Sequence, residues 1–351
     1  MNQYAKLTKL INKAKCGGNL TLGFLGGSIT QGCNPSVPEN AYVERVTRWF
    51  KETFPNVSFT RVNAGIGATT SLIGVHRMDS DILQYDPDIV FVDFAANDVD
   101  GRINTHISYE SLIRKLLMNL KEDVPVVEIF MTLNTGESAY KEQEVIANHY
   151  GLPVVNFRKE IFEKIAAGEY IWTDIETDEV HPNDRGHNII KELIVDLMKT
   201  AENNTDLETS NELPAPIYSD KYVNGYMVLF DDNKKLIENM HGFKVEEQTF
   251  RTINTGITNE LVDGAKVTLK INARTLHLLY VKGIEDNRAT LSITVDDNQK
   301  LELDTSFQGG WGNYPETFPV FDEVAAGEHI VTIEVKDSNV NIATILGALV
   351  S

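Results

Sequence analysis

Four short stretches carry side chains that together could transfer an acyl group. GFLGGSITQGCN (23–34) breaks an apolar run at two glycines and exposes the hydroxyl of Ser28. NAGIGATTS (63–71) and AANDVDG (95–101) each follow an apolar run, and TDEVHPNDRGH (177–187) puts Asp178 three residues before His181. A serine becomes a nucleophile when a base lies within hydrogen-bond reach, and the base needs a carboxylate on its second ring nitrogen to fix its tautomer. The Asp-x-x-His pair can supply both: His181 would take the Ser28 proton while Asp178 holds the ring. Singly, each residue has an ordinary structural role. Ser28 would be a turn or helix cap, Asn97-Asp98 a turn, and His181 a cap for the helix that follows. Together and in this order they predict nucleophilic ester chemistry.

That chemistry requires elements that bring the stretches together. Up to about residue 200, the apolar runs TLGFLG (21–26), SFTRVNAG (58–65), DIVFVDFA (88–95), VPVVEIFM (124–131) and LPVVNF (152–157) alternate with helical segments. The helical segments include AYVERVTRWFKETF (41–54), SYESLIRKLLMNLK (108–121) and DRGHNIIKELIVDLMK (184–199). In the second, Leu112, Leu116, Leu117 and Leu120 recur at helical spacing. This alternation predicts an α/β fold with a doubly wound parallel sheet, whose ligands bind beyond the carboxyl ends of the strands. Ser28, the 63–71 loop and the Asn97 loop follow the first three strands, so all three converge on one edge.

The four blocks resemble the SGNH hydrolases, also called GDSL-type esterases, over roughly residues 18–200. In that family the serine stands in G-D-S-x, a glycine follows the second strand, an asparagine stands in G-x-N-D, and D-x-x-H lies near the domain's end. The resemblance implies a flavodoxin-like fold with Ser28 as nucleophile, His181 as base and Asp178 as its partner. It also implies an oxyanion hole formed by the Ser28 N–H, a backbone N–H of the second block and the Asn97 side chain. Two positions depart from the pattern: Gly27 replaces the name-giving aspartate, and Ala95 stands where glycine is usual. In the second block, counting from Asn63 points to Ala68 as the donor and the glycine match points to Gly67; the sequence leaves both open.

Other chemistries find less support. There is no G-x-S-x-G elbow around Ser28, no H-E-x-x-H or cysteine cluster for zinc, and no G-x-G-x-x-G spacing in GFLGG. No cofactor and no metal are expected. The 351 residues suffice for two domains, and 42% hydrophobic with 24% charged residues is ordinary for a globular protein. A formal net charge of -19 repels polyanions, which argues against nucleic acid and anionic membranes as partners, and also serves solubility. No run approaches the ~18 apolar residues of a membrane span. The opening MNQYAKLTKLINKAKCGGN lacks the apolar segment of a secretory signal, and Cys16 and Cys33 make no disulfide framework, so the expected location is cytoplasmic. Nothing in the sequence bears on oligomeric state.

Beyond residue 200 the pattern changes. TAENNTDLETSNELPAPIYSD (200–220) is polar and proline-bearing, and AKVTLKINA, TLHLLYVKG, ATLSITVDD, KLELDTSF, EHIVTIEVKD and ATILGALV alternate with period two. The expected division is a catalytic domain over 1–200, a linker over 201–216 and a jelly-roll β-sandwich over 217–351. In SFQGGWGNYPETFPVF (306–321), Trp311 and Tyr314 are expected on a glycine-rich loop where they could stack on sugar; the alternative is that Trp311 plugs the domain's own core or the interdomain contact. A catalytic domain followed by a sandwich like a carbohydrate-binding module resembles carbohydrate esterase family 17. The resemblance implies removal of acetyl groups from mannan-derived oligosaccharides, so an acetylated oligosaccharide is the expected partner. The competing readings are an acetyl esterase on xylan or another sugar, a lysophospholipase or thioesterase, and a sugar-binding protein.

Overall fold

Helix α1 (Gln3–Cys16) opens the chain, capped by the Asn2 side chain, which accepts from the Ala5 N–H at 3.1 Å. Its buried Leu7, Leu10, Ile11 and Ala14 recur at i, i+3, i+4 and i+7, one helical face. The computed structural model describes residues 2–99, 105–205, 208 and 212–351; the end of the 95–101 stretch and part of the expected linker (206, 207, 209–211) lie outside them.

The first unit is built on five strands: β1 (Gly18–Gly26), β2 (Val57–Gly65), β3 (Ile89–Asp93), β4 (Val126–Ile129) and β5 (Val154–Val155). They pair in parallel in the order β2-β1-β3-β4-β5, the flavodoxin-like arrangement. Between them run α2 (Ser28–Gln31), α3 (Tyr42–Thr53), α4 (Ser71–Asp81), α5 (Thr105–Asn119) and α6 (Tyr140–Tyr150), and α7 (Phe157–Ala166) and α8 (Asp184–Glu202) follow β5. The last two strands are shorter than the apolar runs that predict them.

Alternate residues of the strands feed two cores. Leu22, Phe24, Phe91 and Val127 pack with Leu10, Val46, Phe50, Ile161 and Ile194, from α1, α3, α7 and α8. Leu25, Val90, Val92 and Val126 pack on the other face with Val75, Leu112, Ile113 and Ile146, from α4, α5 and α6. Burial on both faces is why these strands read as continuous apolar runs rather than alternating ones.

The chain divides into compact units at Val223 and Asn224. Residues 217–223, which the sequence places with the second domain, lie with the first. The Glu110 carboxylate on α5 accepts from the N–H groups of Ile217, Tyr218 and Ser219 at 2.6, 2.6 and 2.9 Å and from the Tyr150 hydroxyl at 2.7 Å. Tyr222 is buried in the first unit's core.

The second unit has β6 (Tyr226–Leu229), β7 (Ile237–His241), β8 (Phe243–Phe250), β9 (Ile253–Asn259), β10 (Lys266–Ala273), β11 (Leu276–Lys282), β12 (Thr290–Val295), β13 (Gln299–Asp304), β14 (Tyr314–Phe321), β15 (Gly327–Val335) and β16 (Thr344–Val350). They form two antiparallel sheets, β13-β12-β15-β10-β7 and β14-β11-β16-β9-β8, with β6 on β16. Leu269, Leu291 and Ile333 of one sheet share a core with Leu278, Ile345 and Val320 of the other, so the sheets face each other as a sandwich.

Candidate active site

Ser28 is the first residue of α2, just past the carboxyl end of β1. Two glycines let this short helix lie directly on the strand ends. A Cβ on Gly26 would stand 2.4 Å from Thr30 Oγ1 and 2.7 Å from the Asp93 carbonyl oxygen, and one on Gly65 would stand 2.2 Å from the Gln31 nitrogen. The Asn63 side chain ties the layers, donating to the Thr30 carbonyl and accepting from the Gly65 N–H, both at 2.9 Å. Beneath the helix, Thr30 Oγ1 donates to Asp93 Oδ2 at 2.9 Å and lies 2.8 Å from the Tyr42 hydroxyl. Burial pushes the Asp93 carboxyl up to about 7, against the Thr30 hydrogen bond.

Ser28 Oγ lies 2.8 Å from His181 Nε2, and His181 Nδ1 lies 2.8 Å from Asp178 Oδ2. Asp178 Oδ1 also accepts from the backbone N–H groups of Val180 and His181, at 2.8 and 2.7 Å, which closes the loop around its own carboxylate. Desolvation raises the Asp178 carboxyl, but these backbone bonds and His181 outweigh it and hold it below the usual range. The ionised carboxylate takes the Nδ1–H, leaving Nε2 to accept the serine proton. Glu176, two residues upstream, is pushed up to about 9 by burial and by the Asp178 charge, so it adds no second charge near neutral pH. Asn183 accepts from the N–H groups of Arg185 and Gly186 to start α8, which fixes where the loop ends.

The second histidine of this stretch has another role. His187 is fully buried, its Nδ1 accepts from the Tyr42 N–H at 3.2 Å and its Nε2 lies 3.0 Å from the Cys33 carbonyl oxygen. Burial holds it down at about 4, so it stays neutral and fastens α8 to α3 and the loop after α2.

The structure separates the two residues that the sequence leaves open as oxyanion donors. The Gly67 N–H donates to Gln31 Oε1 at 2.6 Å. Ala68 has φ of 60°, the left-handed conformation that favours glycine, and its N–H is donated to none of the described residues. Asn97 lies in the loop after β3, with its side-chain amide against Gly27, and the neighbouring Asp98 carboxylate accepts from the Ser71 N–H at the start of α4. Gln31 carries no motif or spacing by which sequence reasoning could have found it.

In the second unit Trp311 is 70% exposed, so it plugs no core of its own domain. Tyr314 is a correction: it opens β14 rather than lying on the loop, and it is buried. Its ring stacks on Trp311 at 5.2 Å and 23°, with Phe307 edge-on to both. The buried tyrosine thus backs the exposed tryptophan.

Among the described residues no group of His, Cys, Asp or Glu could hold a metal ion, and no helix is long and apolar enough to cross a membrane. A doubly wound sheet with a serine, a histidine and an aspartate joined in series at its carboxyl edge defines a serine ester hydrolase. Residues 24–189 match the GDSL-like Lipase/Acylhydrolase family, and the first unit is a domain of that family. No curated protein matches the chain by sequence. Among solved structures, a two-domain esterase (CEX) active on acetylated mannans shares 29% identity, with 99% of this chain and 95% of that one covered and a TM-score of 0.90. The same esterase co-crystallised with mannopentaose matches at 29% identity, covering 99% of this chain and 94% of that one, with a TM-score of 0.89.

Proposed function

We propose that this protein removes O-acetyl groups from mannan-derived oligosaccharides. His181 takes the Ser28 proton as Oγ attacks the acetyl carbonyl, and Asp178 stabilises the imidazolium. The N–H groups of Ser28 and Ala68 and the Asn97 amide receive the tetrahedral oxyanion. Ala68 is favoured over Gly67 because Gly67's N–H is already donated to Gln31. His181 returns the proton to the departing sugar oxygen, leaving acetyl-Ser28, and water activated by the same base releases acetate.

The observation that carries the chemistry is the unbroken hydrogen-bond series Ser28–His181–Asp178. Likeness over nearly the whole chain to an esterase active on acetylated mannans supports the substrate. The second unit acts in this reading as a carbohydrate-binding module, offering Trp311 on its Tyr314 backing to the apolar face of a sugar ring. The absence of a disulfide between Cys16 and Cys33 accords with work in the cytoplasm. The test is acetate release from acetylated mannan, xylan and pectin oligosaccharides, side by side. Preference for mannan is expected; preference for xylan or pectin moves the assignment to that polymer, and no release from any sugar while a thioester or lysophospholipid is cleaved replaces it.

A further inference from the structure

Gly27 and Asn97 approach more closely than any side chain at position 27 would permit. A Cβ on Gly27 would stand 2.2 Å from Asn97 Oδ1, 2.9 Å from its Cγ and 3.2 Å from its Nδ2. The hydrogen that glycine carries in that place therefore points at the amide oxygen, a weak C–H···O contact. The amide oxygen is thus the Asn97 side-chain atom nearest to position 27, with Nδ2 beyond it.

A left-handed φ is not what calls for this glycine. Gly27 has φ of -90°, outside the left-handed region that favours glycine. What glycine supplies is space. Its neighbours supply space too, but against different atoms: Cβ atoms on Gly26 and Gly65 would meet the Asp93 carbonyl oxygen and the Gln31 nitrogen, backbone that cannot move cheaply. At Gly27 the obstructed group is the end of a side chain, which can swing aside.

We propose that Gly27 is a positioning residue for Asn97. This deepens the reading of Asn97 as an oxyanion donor and rests on it. A side chain at position 27 drives the amide out of its place and leaves the fold standing. The aspartate that G-D-S-x carries at this position would do the same here and add a negative charge near the developing oxyanion. Restoring the family's residue should therefore harm this enzyme.

The test compares Gly27→Ala, Gly27→Asp, Asn97→Ala and the Gly27→Ala/Asn97→Ala pair in the full chain, by kcat and KM on para-nitrophenyl acetate and by Tm. Gly27→Ala should lower kcat at least about 10-fold with KM and Tm little changed, and Gly27→Asp more; neither Gly27→Ala nor the pair should exceed the roughly 10²–10³-fold loss of one oxyanion donor shown by Asn97→Ala alone. Wild-type kcat in Gly27→Ala, or losses that multiply in the pair, overturns the proposal. So does an Asn97→Ala enzyme of full activity, and an inactive Ser28→Ala beside it confines that failure to the donor, sparing the serine mechanism. If Gly27→Ala unfolds the protein, Gly27→Ala/Asn97→Gly decides: recovery of Tm on emptying the space upholds the contact, and no recovery overturns it.

Discussion

Thr30 donates a 2.9 Å hydrogen bond to Asp93, so the helix that begins with Ser28 rests on a fully buried carboxyl. The other oxygen of that carboxyl, Oδ1, has no partner among the described residues. With its carboxyl pushed up to about 7 in the fold, Asp93 binds a proton over a range where an unfolded aspartate has lost it. The folded state is therefore penalised as pH rises from about 4 to 7, by on the order of 4 kcal/mol. Asp93→Asn, neutral throughout, should gain stability relative to wild type by that order between pH 4 and 8. Denaturant melts at both pH values measure it; a difference that does not change with pH would mean that Asp93 ionises as freely folded as unfolded.

Ser28→Ala should abolish ester hydrolysis with Tm preserved, because the small, partly exposed side chain carries little packing. His181→Ala should cost nearly as much, since the residues act as a unit, and Asp178→Asn somewhat less or comparably. Near wild-type turnover in purified Ser28→Ala would remove the serine mechanism.

Trp311→Ala should separate substrates. The first unit's chemistry is left intact, so para-nitrophenyl acetate turnover should hardly change, while turnover of acetylated manno-oligosaccharides drops clearly. Equal losses on both would make Trp311 structural, and no loss on either would take this loop out of substrate binding.

His187 should make the protein acid-sensitive. Its folded value of about 4 lies below the ordinary 6.5, so the unfolded chain takes up a proton first as pH falls. Stability is unaffected by this group above pH 6.5 and declines between 6.5 and 4, by about 3 kcal/mol in total. His187→Asn should be less stable than wild type at pH 7.5 because the bonds to Tyr42 and Cys33 are disturbed. The gap between the two should narrow as pH falls to 4. A gap of constant size counts against a buried neutral His187.

The strands that position the site were legible because burial on both faces leaves nearly every residue of 21–26 and 88–95 apolar. β5 was overestimated, since the apolar residues around Val154 and Val155 are spent on loop and helix packing rather than on the sheet. α4 showed no clean apolar stripe because it buries a charge: Arg77 pairs with Asp81 at 2.7 Å and donates to the Gly26 carbonyl at 3.1 Å. Ser28, Asp178 and His181 were legible because their chemistry depends on residue type and chain order. The Gly27–Asn97 approach and the Gln31–Gly67 bond were not, because each depends on how closely two loops meet. That bond, which distinguishes Gly67 from Ala68, exists only once the chain has folded Gln31 onto the Gly67 N–H.

The hold of Glu110 on residues 217–219 bears on how the gene for this protein can be divided. A chain stopped after residue 200, where α8 nears its end, would strip three backbone donors from a buried carboxylate and open the place that Tyr222 fills. The transferable hydrolase cassette therefore runs through Val223, so replacing the second unit by recombination keeps the first whole only if the crossover falls after it.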